Sequence, residues 1–154
     1  MTLSDLPHPE IRLCAPEERA AVLALLAACG LPHDGLEDHW ESAWVAVDPG
    51  GGAEILGSVA LEVRGAAALL RSLATREAQR SRGLGSALFD FAMARAKDAS
   101  VDTVALLTTT AESFFARRGF EAVSREVAPE ALRASAEFRG ACPASARLMV
   151  RRLR

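Results

Sequence analysis

The spacing of apolar positions changes several times along the chain, and each change marks an element. Val22, Leu25, Leu26 and Cys29 recur at the three-and-four spacing of one helical face. Pro16 stands where a first helical residue belongs, Glu17 and Glu18 suit the positive end of a helix, and Gly30 ends the run. Residues 11–14 before it read as a short strand, and residues 34–39 after it as one or two polar helical turns. Three strand-like runs follow, at 42–47, 54–63 and 68–75, with turns at 48–52 and 64–67. Connections this short predict an antiparallel meander.

Beyond residue 85 the spacing becomes helical again. Leu84, Leu88 and Phe91, with Ala87 and Ala94 beside them, lie on one face up to about residue 99. Residues 101–108 form a buried-looking strand. Ala111, Phe114, Phe115 and Arg118 suit a short helix that Gly119 can end in the left-handed conformation. Residues 120–127 return to strand, 129–136 read as helical, and 146–153 close the chain as a strand. The order β-α-α-β-β-β-α-β-α-β-α-β predicts an α+β (mixed α/β) fold. Its sheet is antiparallel at first and gains parallel pairing where a helix crosses over. Neither a repeat nor a linker divides the chain, so residues 1–154 are expected to form one domain, with 1–10 loosely held.

Composition narrows the function classes. The formal net charge of −2 gives no reason to expect nucleic acid or membrane as a partner. Lys97 is the only lysine, so the positive charge is almost wholly arginine, which suits phosphate and carboxylate. The longest apolar run, residues 20–29, is about half a membrane span. Cys14, Cys29 and Cys142 are scattered, which argues against a disulfide framework or zinc site and for a reducing cytoplasm. His8, His33 and His39 show no metal-ligand spacing, so no metal is expected.

The densest chemistry lies in Arg80-Ser81-Arg82-Gly83-Leu84-Gly85, at the junction of a strand end and a helix start. A helix begins with unpaired N–H groups and a partial positive charge, and so can hold an anion. Gly83 and Gly85 let backbone approach a ligand, while Arg80 and Arg82 add charged donors, a combination that suits a pyrophosphate. A turn with solvated arginines explains the hexapeptide equally well. Neither GxGxxG nor GxxxxGK is present.

RxxGxG directly after the third strand of a meander, leading into an amphipathic helix, resembles the acetyl-CoA-binding motif of the GNAT N-acetyltransferases. The resemblance runs from about Ile11 to Arg152 and includes Phe115-Ala116-Arg117-Arg118-Gly119-Phe120, similar to the family's helix-to-strand ending. LLTTTAESFFARRGF (106–120) is similar to the acetyltransferase domain of N-acetylglutamate synthases. With ALLRSLAT (68–75) and LRASAEFRGACPASA (132–146), the chain looks still more like acetyltransferases associated with arsenic-resistance operons. The resemblance implies a central mixed, mostly antiparallel sheet with splayed strands, flanked by helices. It implies acetyl-CoA as co-substrate and a small-molecule amine as acceptor, of the glutamate, phosphinothricin or arsinothricin kind. Dimers are common in the family, which leaves a homodimer open.

By the same resemblance, Leu73, Ala74 and Thr75 would hydrogen-bond the pantetheine arm. Ser81, Gly83, Leu84, Gly85 and Ser86 would cradle the pyrophosphate, with Arg80 and Arg82 closing over it. Many relatives place a proton-donating tyrosine four residues before the glycine of the GF ending. Phe115 stands there, and the chain has no tyrosine at all; Phe115 is expected either to pack on the cofactor or to serve the core. A hairpin centred on Ala66–Ala67 puts Glu62 and Arg71 opposite each other on one face. Arg71 could then grip a substrate carboxylate bidentately and Glu62 could orient the amine or accept its proton; an ordinary cross-strand pair fits as well. Thr108 and Thr109 could meet the substrate or cap the next helix. Arg133 and Phe138 are expected, by resemblance, in a substrate wall.

Overall fold

The computed structural model describes residues 9–50, 54–80 and 82–153. Seven strands form one sheet: β1 Glu10–Leu13, β2 Ala43–Val47, β3 Ile55–Arg64, β4 Ala67–Thr75, β5 Thr103–Thr108, β6 Glu121–Val123 and β7 Arg147–Arg152. Their order across the sheet is β1-β2-β3-β4-β5-β7-β6. All neighbours pair antiparallel except β4 and β5, which are parallel because helix α2 (Leu84–Asp98) crosses over between them. The predicted meander and mixed sheet are therefore present.

Strand alternation divides the core between the two faces. Val45 and Val47 point towards helix α1 (Arg19–Ala28), where Val22, Leu25 and Leu26 are buried with Leu36 and Ile55. Ala46, Val59, Leu61 and Leu70 point the other way, onto α2 and the short helix α3 (Glu112–Ala116). Pro16 opens a 3₁₀ turn, Pro16–Glu18, that leads into α1. Glu18 closes that turn: it accepts both guanidinium nitrogens of Arg12 at 2.6 and 2.7 Å and the Ala15 N–H at 2.9 Å.

Three predicted elements differ. Along α2 the buried side chains are Leu84, Leu88, Phe89, Ala92, Met93 and Ala96. Ala87 and Ala94 face solvent and Phe91 is half-buried, so the core-facing stripe is rotated from the predicted one. Alanine tolerates either side, whereas the larger Phe89 and Met93 set the rotation by the area they bury. The strand predicted over 120–127 is only Glu121–Val123, followed by a 3₁₀ turn, Arg125–Val127. The helix predicted over 129–136 is a 3₁₀ turn, Glu130–Leu132, and a π-helical turn comes later, at Glu137–Ala141.

Candidate functional site

The site begins where the sheet comes apart. β4 and β5 pair only at Ala67–Thr103, Ala68–Val104 and Leu69–Ala105, although both strands continue beyond those positions. A bulge in β4 contributes to the divergence. Ser58 faces Ala74 and Ala60 faces Arg71, so Ser72 and Leu73 together occupy the span opposite Val59. Ser72 takes a left-handed backbone (φ 60°), and its carbonyl accepts the Ser58 hydroxyl at 2.8 Å. A cavity of about 690 Å3 fills the gap, lined by Leu70–Thr75 on one side and by Leu106–Ala111 and Phe115 on the other.

One end of this cavity meets the start of α2, where Gly85 and Arg80 line it. Gly83 is the cap residue in the left-handed conformation (φ 82°). Among the described residues, a Cβ built on Gly83 or Gly85 would meet no atom within 4 Å beyond its chain neighbours and its own helix backbone, so neither position is crowded. The N–H groups of Leu84, Gly85 and Ser86 precede the first i→i−4 partner and have none within the helix. A helix N-terminus of fifteen residues with bare backbone and an arginine beside it can hold an anion. Arg118 ties the end of α3 to the same loop: its guanidinium donates to Ser86 Oγ at 2.6 Å and to the Phe114 carbonyl at 2.8 Å, and lies 3.5 Å over the Phe114 ring.

Arg71 lies fully buried in the cavity wall. Its Nη1 donates to Glu62 Oε1 at 2.7 Å and to the Asp34 carbonyl at 2.8 Å, and its Nη2 to the Pro32 carbonyl at 3.3 Å. Its Nε lies 3.3 Å from both Ser72 Oγ and Glu137 Oε2. Of the five guanidinium N–H groups, one on Nη2 has no acceptor among the described residues. The bidentate grip expected of Arg71 is thus not available without rearrangement. The expected register is also corrected: Glu62 pairs with Leu69 and Arg71 with Ala60, so the two residues are diagonal rather than opposite neighbours. The bend of the hairpin falls one residue earlier than predicted, since Arg64 pairs with Ala67 across Gly65 (φ 65°) and Ala66.

Glu62 is buried and saturated. Ser135 Oγ adds a donor to Oε1 at 3.0 Å, while Arg64 Nη2 and His39 Nε2 stand 3.2 and 3.6 Å from Oε2. It lines a separate cavity of about 560 Å3 with Asp34, Asp38, Arg64 and Arg139. The two loops around that cavity touch above Arg71: a Cβ on Gly35 would fall 2.9 Å from that of Ala136 and 3.5 Å from Arg71 Nη1.

Of the expected residues, Leu73, Ala74, Thr75, Arg80, Gly85, Arg71, Thr108, Thr109 and Phe115 come together around the larger cavity. Thr108 also accepts the Ala111 N–H at 3.0 Å, so it caps as well as lines. Gly83 and Ser86 flank the cavity's helix end, Leu84 is buried beneath it, and Arg82 is exposed outside its lining. Ser81 lies outside the described residues. Arg133 is exposed and bonded to the Glu126 carbonyl, and Phe138 packs against the buried cluster that holds Leu69, Ala128, Leu132 and Leu148; neither lines either cavity. They were expected there by resemblance alone; the segment reaches the larger cavity through Glu137 and Cys142 instead.

Sequence reasoning missed Glu137, which lines the larger cavity and is 5% exposed. Burial pushes its carboxyl up to about 7, against the pull of Arg71 and with the push of Glu62. Cys142 beside it is also driven up by burial, to about 12. No periodicity marked position 137, because it begins an irregular turn; only its chemical type in a segment already suspected of lining the site could have singled it out.

A family model described as acetyltransferase (GNAT) domain matches residues 38–122, more than half of the chain. No curated protein matches. Among solved structures, N-acetylglutamate synthase from Neisseria gonorrhoeae, complexed with coenzyme A and N-acetyl-glutamate, is similar over 97% of this chain at 22% identity and a TM-score of 0.80. This chain spans only about a third (36%) of that one. Rv2747 from Mycobacterium tuberculosis, in complex with CoA, is similar over 95% of this chain and 100% of its own at 24% identity and a TM-score of 0.76. A GNAT-family acetyltransferase from Staphylococcus aureus is similar over 95% and 99% at 17% identity, with a TM-score of 0.77.

Proposed function

The chain belongs to the acetyltransferase (GNAT) family, and from that premise we propose that it moves the acetyl group of acetyl-CoA onto the α-amine of a small carboxylate-bearing amino acid, glutamate or a mimic such as phosphinothricin or arsinothricin. The observation that carries this reading is the continuous cavity from the bare start of α2, along the unpaired edge of β4, to Arg71. The N–H groups of Leu84, Gly85 and Ser86, with Arg80, take the pyrophosphate. The backbone of 73–75 pairs with β3 on one side but has no paired strand on its β5 side, and that edge pairs with the pantetheine amides as it would with another strand. That path brings the thioester to the point of divergence, between Ser72 and Phe115.

The remaining N–H of Arg71 is the donor that a substrate carboxylate would meet, helped by the Thr108 and Thr109 hydroxyls. Glu62 holds Arg71 in place. A neutral amine attacks the thioester carbonyl, the C–N bond forms, and the C–S bond breaks. Phe115 offers no proton to the departing sulfur, yet a thiol of pKa about 8.5 leaves tolerably without one. Positioning of amine and thioester supplies much of the acceleration. A protein of this fold crystallised with coenzyme A and N-acetyl-glutamate supports the acceptor class.

The test is release of coenzyme A thiol from acetyl-CoA with glutamate, phosphinothricin, arsinothricin, neutral amino acids and a polyamine in parallel. Release confined to glutamate and its mimics is the expected result. Release with the polyamine alone would overturn the acceptor class, and cofactor binding without release under any amine would make the chain an acyl-CoA-binding module.

A further inference from the structure

Glu137 is the one carboxyl among the described residues that line the thioester cavity; the other titratable groups there are Cys29, Arg71, Arg80, Arg117 and Cys142. It has fewer partners than Glu62. The Arg71 Nε at 3.3 Å and the Cys142 thiol are its side-chain contacts, whereas Glu62 receives Arg71, Ser135 and Arg64 and faces the other cavity. From this geometry we infer that Glu137, and not Glu62, is the general base that takes the proton from the acceptor's ammonium group. The inference rests on the acetyl-transfer reading above.

The step balances without any further reactant. The ammonium nitrogen gives one proton to a Glu137 oxygen and becomes the nucleophile. Its lone pair forms the C–N bond, the carbonyl re-forms, and the C–S bond breaks with its electron pair on sulfur. The second proton leaves the new amide nitrogen for the thiolate, and Glu137 releases its own proton to water. A base works best when its pKa lies near the operating pH. Burial supplies that value here, about 7, with Arg71 on β4 opposing the rise and Glu62 on β3 and the adjoining Cys142 as the other charged and titratable groups around it. Arg71 keeps the ionised carboxylate from being expelled, and the Cys142 thiol, raised to about 12, stays protonated and does not compete for the proton.

The experiment compares wild type with E137Q across neutral pH, at saturating acetyl-CoA. The acceptors are the fastest amine of the panel above and hydroxylamine, whose nitrogen is already unprotonated at neutral pH. E137Q is expected to lose about 10²–10⁴-fold in kcat/KM with the amine, together with the rising limb near 7, and to lose far less with hydroxylamine. Equal losses with both acceptors, or a limb that survives in E137Q, would reduce Glu137 to a structural role and overturn the inference. Full activity in E137Q would do the same. If E137Q does not fold, the wild-type profile decides, since kcat/KM flat through 7 is incompatible with this base. The acceptor class is read from the ranking of amines and the base from the pH limb, so failure of one is distinguishable from failure of the other.

Discussion

Arg71 sits in a wall without solvent contact, surrounded by Glu62, Glu137 and two loop carbonyls. Removing one partner of such a group leaves the other charges buried and unmatched. R71A is therefore expected to lose about 3–5 kcal/mol of stability, read as a lower denaturation midpoint in urea. A loss under about 1 kcal/mol, the range of an exposed pair, would mean that the network does not hold the site together. Glu137 has the opposite sign. Its folded pKa is raised above the ordinary carboxyl range, so the folded chain binds the proton more tightly. Its contribution is least unfavourable below about 4.3 and worsens as pH climbs from there through 7. E137Q should accordingly be more stable than wild type above neutrality, on the order of 1–3 kcal/mol, and no more stable in acid; thermal melts at the two ends test this. A base that lowers stability at working pH is what a functional carboxyl in a wall of this kind would show. Glu62 and Arg71 were legible in the sequence because the observed pairing differs from the expected one by two residues, a shift that keeps both on one face. Glu137 was not, because a π turn has no period from which a face can be read.

At the level of elements, Gly57 joins the sheet to α2. A Cβ there would lie 2.8 Å from Leu88 Cδ1, 3.3 Å from Leu84 Cδ2 and 2.9 Å from the Ala74 carbonyl. The leucine tips can move, but the carbonyl belongs to the strand that lines the larger cavity. G57A should therefore cost about 1–3 kcal/mol as overpacking and raise KM for acetyl-CoA more than for the amine. Unchanged KM for acetyl-CoA would show that α2 tolerates displacement from β3. The break before α2 was readable from the change to helical spacing after Gly83 and Gly85, and Gly83 takes a left-handed backbone at the cap. The rotation of α2 was not, since Ala87 and Ala94 bury too little area to vote against Phe89 and Met93. The bulge at Ser72 and Leu73 was hidden too: nothing in LLRSLAT marks an extra residue, and Ser72 is no glycine despite its φ of 60°. The fold of the 120–146 segment was least legible, being a succession of single turns.

For the molecule as a whole, the mixed sheet with helices on both faces followed from the order of elements alone, because short connections force antiparallel neighbours and a crossover helix forces a parallel pair. What no order of elements discloses is how weakly that parallel pair is joined. β4 and β5 share three paired positions, against six between β5 and β7. The first four strands and the last three thus behave as two slabs meeting at a short weld, with α2 strapped across one face. Most sheets fray from their rims; this one should fray from its middle. Amides of 70–75 and 106–108 are expected to exchange faster than those of β2 or β7 in the bare protein, and to slow when coenzyme A is added. Ligand at about 100 times its Kd should add about 2.7 kcal/mol, and exchange that slowed evenly over the whole sheet would argue against a local weld. On the proposed reading a bound pantetheine arm would serve as a mortar joint, and the sheet would be mechanically whole only while the chain carried its donor.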